Sequence, residues 1–416
     1  MKKVWIISQH NMPPAYGHLN RHFYLGQYLK QMGYEPSVFV GSFLHNTNHQ
    51  MINDHSLLLK YEPCSFDYYF VSTCDYSKSK IKRLYAMLQF YFKMFKVSKK
   101  LPKPEVVIGS SPHLLSALAA ILIARKHKAQ AIVEIRDLWP ESLKEYKVLS
   151  NPIILGVLYQ LEKWIYKHAD KLIFTMDGGA EYIKDKKWDT AQGGPINLAK
   201  VFNCNNGVDL STFNENRDAY KYADEDLDNS NLFRVIYTGS IRHVNNIQSI
   251  VNVAQIIQER QVDKLKFLIF GDGNERIKLE EYCQSNQINN ISFKGFVDKK
   301  YIPYILSQSH LNIFHFEPNK LAKYGASLNK MFEYFASGKP TLTDCEFKND
   351  LLIKYQCGKV IDHATEQQLA DAIIEFAQMP LDEYKVYGEN ALRLAKLFDY
   401  QTLTIKLIDI IEQDIA

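Results

Sequence analysis

Short apolar runs ending in small or polar residues alternate with longer amphipathic stretches over most of the chain. Residues 4–8, 35–40, 106–109, 131–135 and 171–175 have the Val/Ile content and the polar ends of strands covered on both faces. Between them, 20–32, 114–127 and 153–168 read as helices, and this βαβ succession predicts a doubly wound parallel sheet. A second series follows the polar segment 214–231. Its strand-like runs are 234–238, 265–270, 290–294, 311–314, 340–343 and 359–362, with helices at 247–261, 276–287 and 329–337. The pattern predicts an α/β protein of two Rossmann-like domains, 1–205 and 206–396, with a helix at about 397–416 completing the first. A chain of 416 residues agrees, since it exceeds what one hydrophobic core usually supports.

Composition narrows the function classes. With 46% hydrophobic and 23% charged residues, the chain is globular rather than disordered. A formal charge of +4 is too small to imply a nucleic-acid partner. The six cysteines form no CxxC and have no His at ligand spacing, which predicts reduced buried thiols and no zinc site. The N-terminal apolar run is too short for a signal core, and the longest one, 114–124, is well short of the ~20 residues that span a bilayer. A cytoplasmic protein is expected.

The usual dehydrogenase, P-loop, hydrolase and metalloprotease signatures are absent. Asp224-Glu225-Asp226 resembles a metal-binding DxD but lies in a polar stretch and reads as a solvated linker, so no metal is expected. The loop after the first strand holds Gly17 and His18 just before a helix start. It is either a ligand loop open to an anion or a plain Pro-Gly turn. In the second domain Gly239, Arg242, Gly271 and Gly273 sit just beyond two strand ends. They suit a phosphate or base, or are tight turns and a solvated Arg.

Residues 324–340 form the strongest local signal. Ser327, Asn329 and Lys330 place amides and a cation at a helix start suited to a diphosphate. Glu333, one turn on, can accept ribose hydroxyls or pair with Lys330. Arg136 and Asp137 end a buried strand, where a charged pair is either used chemically or mutually satisfied.

In order, MPPAYGHLNRHFYLGQYLKQMGYEPSVF (12–39), IVEIRDLWPES (132–142), NNGVD (205–209), YTGSIRHVNN (237–246), FLIFGDG (267–273) and YGASLNKMFEYFASGKPTL (324–342) resemble the retaining glycosyltransferases of family 4, nearest their bacterial surface-polysaccharide branch. The resemblance implies the GT-B architecture, two Rossmann-like domains facing a central cleft, and a UDP-linked, N-acetylated or fucosamine-type sugar donor. It also implies a glycan or polyprenyl-linked acceptor and retention at the anomeric carbon. Gly17, His18, Gly239, Arg242, Gly271, Gly273, Ser327, Asn329, Lys330 and Glu333 would bind the donor, and Asp137 with Arg136 would act at the reacting centre. The chain departs from the family at Gly325, where an earlier Glu is common, at Asn245 or Asn246, where a basic residue is common, at Leu328 and at Arg136. A nucleotide-sugar 2-epimerase and a non-catalytic partner subunit of the same fold are the competing readings.

Between 76 and 103, nine basic residues (Lys78, Lys80, Lys82, Arg83, Lys93, Lys96, Lys99, Lys100 and Lys103) interleave with aromatics, uninterrupted by any acid. In a helix Leu84, Leu88, Phe92 and Phe95 share a face. That face either meets an anionic membrane, on the inner side of the cell membrane, or packs into the core.

Overall fold

The structure is a computed structural model that describes residues 1–77, 79–316, 320–348 and 350–414. Lys78 and the last two residues of the expected C-terminal helix lie outside the described residues. The chain divides into two compact units. One comprises residues 1–205 with the helix Tyr400–Glu412, the other residues 206–399.

The first unit holds eight strands: β1 (Lys3–Ile7), β2 (Glu35–Gly41), β3 (Leu58–Lys60), β4 (Asp67–Val71), β5 (Val106–Ser110), β6 (Gln130–Ile135), β7 (Lys171–Phe174) and β8 (Val201–Asn203). Their order is β3-β4-β2-β1-β5-β6-β7-β8, parallel except for β3 on β4. The central strands β1 and β5 are almost wholly apolar and buried, as a sheet covered on both faces requires. β3, β4 and β8 were not anticipated from the sequence. Two of them have only three residues, and β4 is Tyr-rich with half-buried alternation.

The second unit contains β9 (Phe233–Thr238), β10 (Leu265–Phe270), β11 (Ile291–Gly295), β12 (Leu311–Phe314), β13 (Thr341–Thr343) and β14 (Gly358–Val360). They run in the order β11-β10-β9-β12-β13-β14, all parallel. Winding reverses at β1, between β2 and β5, and at β9, between β10 and β12. In open α/β sheets ligands bind beyond the carboxyl ends of strands at such reversals. The loops that follow β1 and β9 therefore occupy the two favoured positions.

Tyr24 stacks on Tyr400 with ring centroids 5.2 Å apart, seating the Tyr400–Glu412 helix on the first unit. Buried Lys171 on β7 donates to the terminal carbonyls of that helix, Ile410 at 2.5 Å and Ile411 at 3.1 Å, where the helix dipole favours a cation.

Two expectations change. Asp224-Glu225-Asp226 is not a solvated linker. Asp224 caps a short helix, Glu225–Asp228, and Lys294 on β11 pairs with both Asp224 and Asp226 at 2.7 Å. Cys64 and Cys74 are only half-buried, although the other four cysteines are buried as expected.

The Lys80–Val97 helix turns Ala86, Met87, Phe90, Met94 and Val97 into the core. It carries a second apolar stripe that does not face the core: Leu84 is 57% exposed and Phe92 61%. Leu88 is also exposed and Phe95 half-buried. The core-facing reading of the Leu84, Leu88, Phe92 and Phe95 stripe fails.

Candidate active site

In the second unit, the turns after β9 and β10 pack backbone to backbone. Gly239 N–H donates to Phe270 O and Ile241 N–H to Asp272 O, each at 2.9 Å. A Cβ on Gly271 would lie 1.7 Å from Gly239 O, and one on Gly273 would lie 2.0 Å from Ile241 O. These glycines are thus required by the contact between two turns. Of the two readings open from the sequence, this contact is that of tight turns, and the N–H groups of Gly239, Gly271 and Gly273 are already donated within the protein. Asn245 Nδ2 bonds Ser240 O at 2.8 Å and pins the turn from which exposed Arg242 projects.

The helix Asn329–Ala336 begins beside this turn. Its N-cap is Leu328, which has no side chain able to satisfy the first amides. Lys330 reaches back to the Tyr237 hydroxyl, with Nζ 2.9 Å from the oxygen and 4.3 Å from the ring centroid. A Cβ on Gly239 would meet that Nζ at 2.9 Å, so the glycine leaves room for the cation. Burial pushes Lys330 down to about 7, and no carboxylate pairs with it among the described residues. The Lys330–Glu333 pair allowed by the sequence does not form. Glu333 pairs instead with Lys299, brought by the turn after β11. Ser327 is tied up locally, its hydroxyl oxygen accepting Asn206 N–H at 2.7 Å and its carbonyl accepting Asn206 Nδ2 at 2.7 Å. Tyr334 fixes the helix to the sheet, its hydroxyl accepting Thr238 N–H at 2.9 Å.

Gly239, Arg242, Gly271, Gly273, Ser327, Asn329, Lys330 and Glu333 are therefore elements of one strand edge, with Lys330 and Arg242 as its cations. Tyr237 and Lys299, which position Lys330 and Glu333, were not singled out from the sequence. Neither was the buried pair His315–Asp344 at the ends of β12 and β13.

In the first unit Gly17, His18, Arg136 and Asp137 lie at the corresponding edge. Met12 N–H closes the loop onto Leu19 O at 2.8 Å, and a Cβ on Gly17 would meet Met12 Sδ at 2.7 Å. Ser111 Oγ accepts Arg136 N–H at 2.8 Å and Asp137 N–H at 3.4 Å, fixing the turn after β6. Arg136 and Asp137 form no ion pair with each other among the described residues, although Arg136 is near enough to favour the charged form of Asp137. Asp137 is exposed, while Arg136 Nε is buried without a hydrogen-bond partner.

Beneath this turn lies a network that sequence reasoning missed. Glu134 on β6 accepts Arg21 Nε at 2.8 Å and Ser110 Oγ at 2.7 Å, and lies 2.6 Å from His22 Nε2.

Two family models match the sequence: a glycosyl transferase 4-like domain over residues 25–192 and glycosyl transferases group 1 over 221–393. The chain is a GT-B glycosyltransferase of the family 4 type. No curated protein matches the sequence. Among solved structures, sucrose-phosphate synthase from Thermosynechococcus elongatus is 16% identical, with TM-score 0.70 over 99% of this chain and 98% of that one. Anabaena HepE in complex with UDP and glucose is 13% identical, with TM-score 0.64 over 98% and 99%. The E. coli trehalose-6-phosphate protein bound with UDP-2-fluoro glucose is 11% identical, with TM-score 0.72 over the whole of both chains. At these identities the likeness to this glycosyltransferase is one of fold.

Proposed function

We propose that this glycosyltransferase moves a sugar from a UDP-linked donor, with retention, to a glycan or polyprenyl-linked acceptor in surface-polysaccharide synthesis. The observation that carries the donor assignment is Lys330, which pairs with no carboxylate among the described residues and stands at the start of the Asn329–Ala336 helix, which no side chain caps, with its Nζ against the turn after β9 that also carries Arg242. Helix amides and two cations can neutralise the departing diphosphate, and groups aimed at developing charge dominate such catalysis. No metal is needed in this scheme. Glu333 receives the ribose hydroxyls once Lys299 gives way or shares it. The departing phosphate takes the acceptor proton, and Asp137 stabilises positive charge on the sugar. HepE, whose structure contains UDP and glucose, supports the choice of base.

A thermal-shift screen of UDP-, GDP- and ADP-sugars in EDTA tests the assignment, since a ligand of the native state raises its stability. Selective stabilisation by UDP-sugars is expected, and none by any of the three would refute it. Lys330→Ala should weaken UDP binding by about 10- to 100-fold, the range for a lost charge-assisted hydrogen bond. Binding should also take up a proton. With Lys330 near 7 in the free protein and charged against the diphosphate, uptake is absent well below pH 7 and approaches about one proton near pH 8. UDP affinity therefore falls as pH rises from 7 to 9. Calorimetry in buffers of different ionisation enthalpy reads this directly, and equal heats in all buffers at pH 8 would remove Lys330 from the site. Donor hydrolysis measured with and without acceptor separates transfer from a 2-epimerase, which needs no acceptor, and from a non-catalytic subunit.

The exposed stripe of the Lys80–Val97 helix, bordered by lysines, supports reversible seating on an anionic membrane on the cytoplasmic side. Among the described residues no helix is long and apolar enough to cross a bilayer. Co-sedimentation with vesicles containing phosphatidylglycerol should be reversed by high salt and abolished by Lys→Glu changes at Lys93, Lys96, Lys99 and Lys100. Wild-type protein left in the supernatant at low salt would refute the membrane role.

A further inference from the structure

At the carboxyl edge of the first sheet lies a pocket of about 480 Å³ whose walls include Phe43, His45, Thr47, Tyr76, Lys80 and Arg83. Among the described residues that line it, none is acidic. Asp75, next to Tyr76 in the chain, is turned to Ser77, whose N–H it accepts at 2.8 Å.

Behind the lining, His10 is 4% exposed, stacks on His45 with centroids 4.6 Å apart and meets His113 edge-on at 5.3 Å. Both ring nitrogens of His10, Nδ1 of His113 and Nε of Arg83 are buried without hydrogen-bond partners. Neither Lys80 nor Arg83 forms an ion pair among the described residues. Burial keeps His10 and His113 uncharged, the latter at about 3, so the positive charge of the pocket comes from Lys80 and Arg83.

The Lys80–Val97 helix starts in this wall. Ser79 caps it, accepting Lys82 N–H at 3.3 Å, and its first turn contains Lys80 and Lys82 but no acid. Cations at a helix N-terminus oppose the helix dipole, so this end of the fold is left positive until an anion arrives. The pocket adds hydroxyl and amide side chains in Thr47, Asn46 and Ser77, which can serve ester or sugar oxygens.

We propose that this pocket binds the anionic group of the acceptor, a phosphate or diphosphate ester, against Arg83, Lys80 and the start of the Lys80–Val97 helix. The proposal rests on the reading of the first unit as the acceptor side and names the chemical class that it takes. The apolar stripe of Leu84, Leu88 and Phe92 continues along the same helix, so a diphosphate on a lipid chain and a soluble phosphorylated sugar both fit its chemistry.

The test is calorimetry on the full chain saturated with UDP, so that the donor site is occupied. The probes are inorganic pyrophosphate, farnesyl diphosphate and glucose 6-phosphate, with farnesol and glucose as uncharged controls. At least one anionic probe should bind where its uncharged control does not. Arg83→Gln and Lys80→Gln should each weaken that binding roughly tenfold, the effect of one charge-assisted hydrogen bond. Arg83→Lys should recover part of it. Tighter binding of farnesyl diphosphate than of pyrophosphate assigns a lipid-linked acceptor, and tighter binding of glucose 6-phosphate assigns a soluble one. Because Lys80 is exposed, its variant keeps the fold, and a melting temperature near that of wild type checks this for both. Absence of anionic binding, or binding indifferent to both substitutions, overturns the proposal. Loss of UDP binding in the unsubstituted protein would instead overturn the donor assignment, a separate titration.

Discussion

Asp137→Asn is expected to lower turnover by roughly two to four orders of magnitude, while UDP affinity and melting temperature stay close to wild type. The fold makes little use of this charge, which only Arg136 is shown to favour, and without an ion pair. Asp137 is exposed, makes no ion pair among the described residues, and is held through its N–H by Ser111 Oγ rather than through its carboxylate. Asparagine keeps the shape and removes only the charge. A carboxylate that stabilises positive charge on the sugar acts in the transition state, so its loss should appear in kcat and leave nucleotide binding intact. Donor hydrolysis by the purified protein, beside UDP titration of the same sample, measures both. A rate per folded molecule within tenfold of wild type would remove Asp137 from the reacting centre.

The two sheets were legible because their central strands are long, apolar and bounded by turn residues, and nothing else folds such runs so economically. β3 and β8 were not, since three residues carry no readable period. The donor edge was legible as a list of residues but not as a set of contacts. Sequence places Glu333 three residues after Lys330, and local helix geometry then suggests a pair. The tertiary fold brings Lys299 to the glutamate and Tyr237 to the lysine instead. The glycines read equally as a ligand's need or as tight turns, and the close approach of two turns already demands Gly271 and Gly273. The Lys80–Val97 helix misleads in another way. It has apolar residues on two faces, and periodicity cannot say which one the sheet takes. The histidine cluster and the Glu134 network were invisible, because His10, His45 and His113, like Arg21 and Glu134, come from separate loops, helices and strands that only topology assembles.

That network carries the largest expected effect on stability: Glu134→Ala should cost the first unit about 3–5 kcal/mol, the range for a buried charge stripped of its partner. Glu134 is 3% exposed, and Arg21, 2% exposed, would be left with the carbonyls of Asn205 at 2.5 Å and Cys204 at 3.0 Å. Those carbonyls end the first unit just before the chain enters the second at Asn206, so Arg21 ties the crossover to β6 through Glu134. Burial alone would raise the Glu134 carboxyl, but Arg21 and His22 hold it well below the usual carboxylate range. Its contribution is therefore complete above the unfolded value of about 4.3 and is lost as pH falls below it. His22 is itself pushed down by burial, against the pull of Glu134, so protonation of the unfolded chain begins to cost stability below about 6.5. Both groups make the first unit weaken toward acid, and Glu134→Ala should abolish the part below about 4.3. All four tryptophans, Trp5, Trp139, Trp164 and Trp188, lie in this unit, so their fluorescence during urea unfolding reports it separately. A loss under about 1 kcal/mol, or an acid dependence unchanged in the variant, would show that Arg21 finds other compensation and that the network does not hold the crossover.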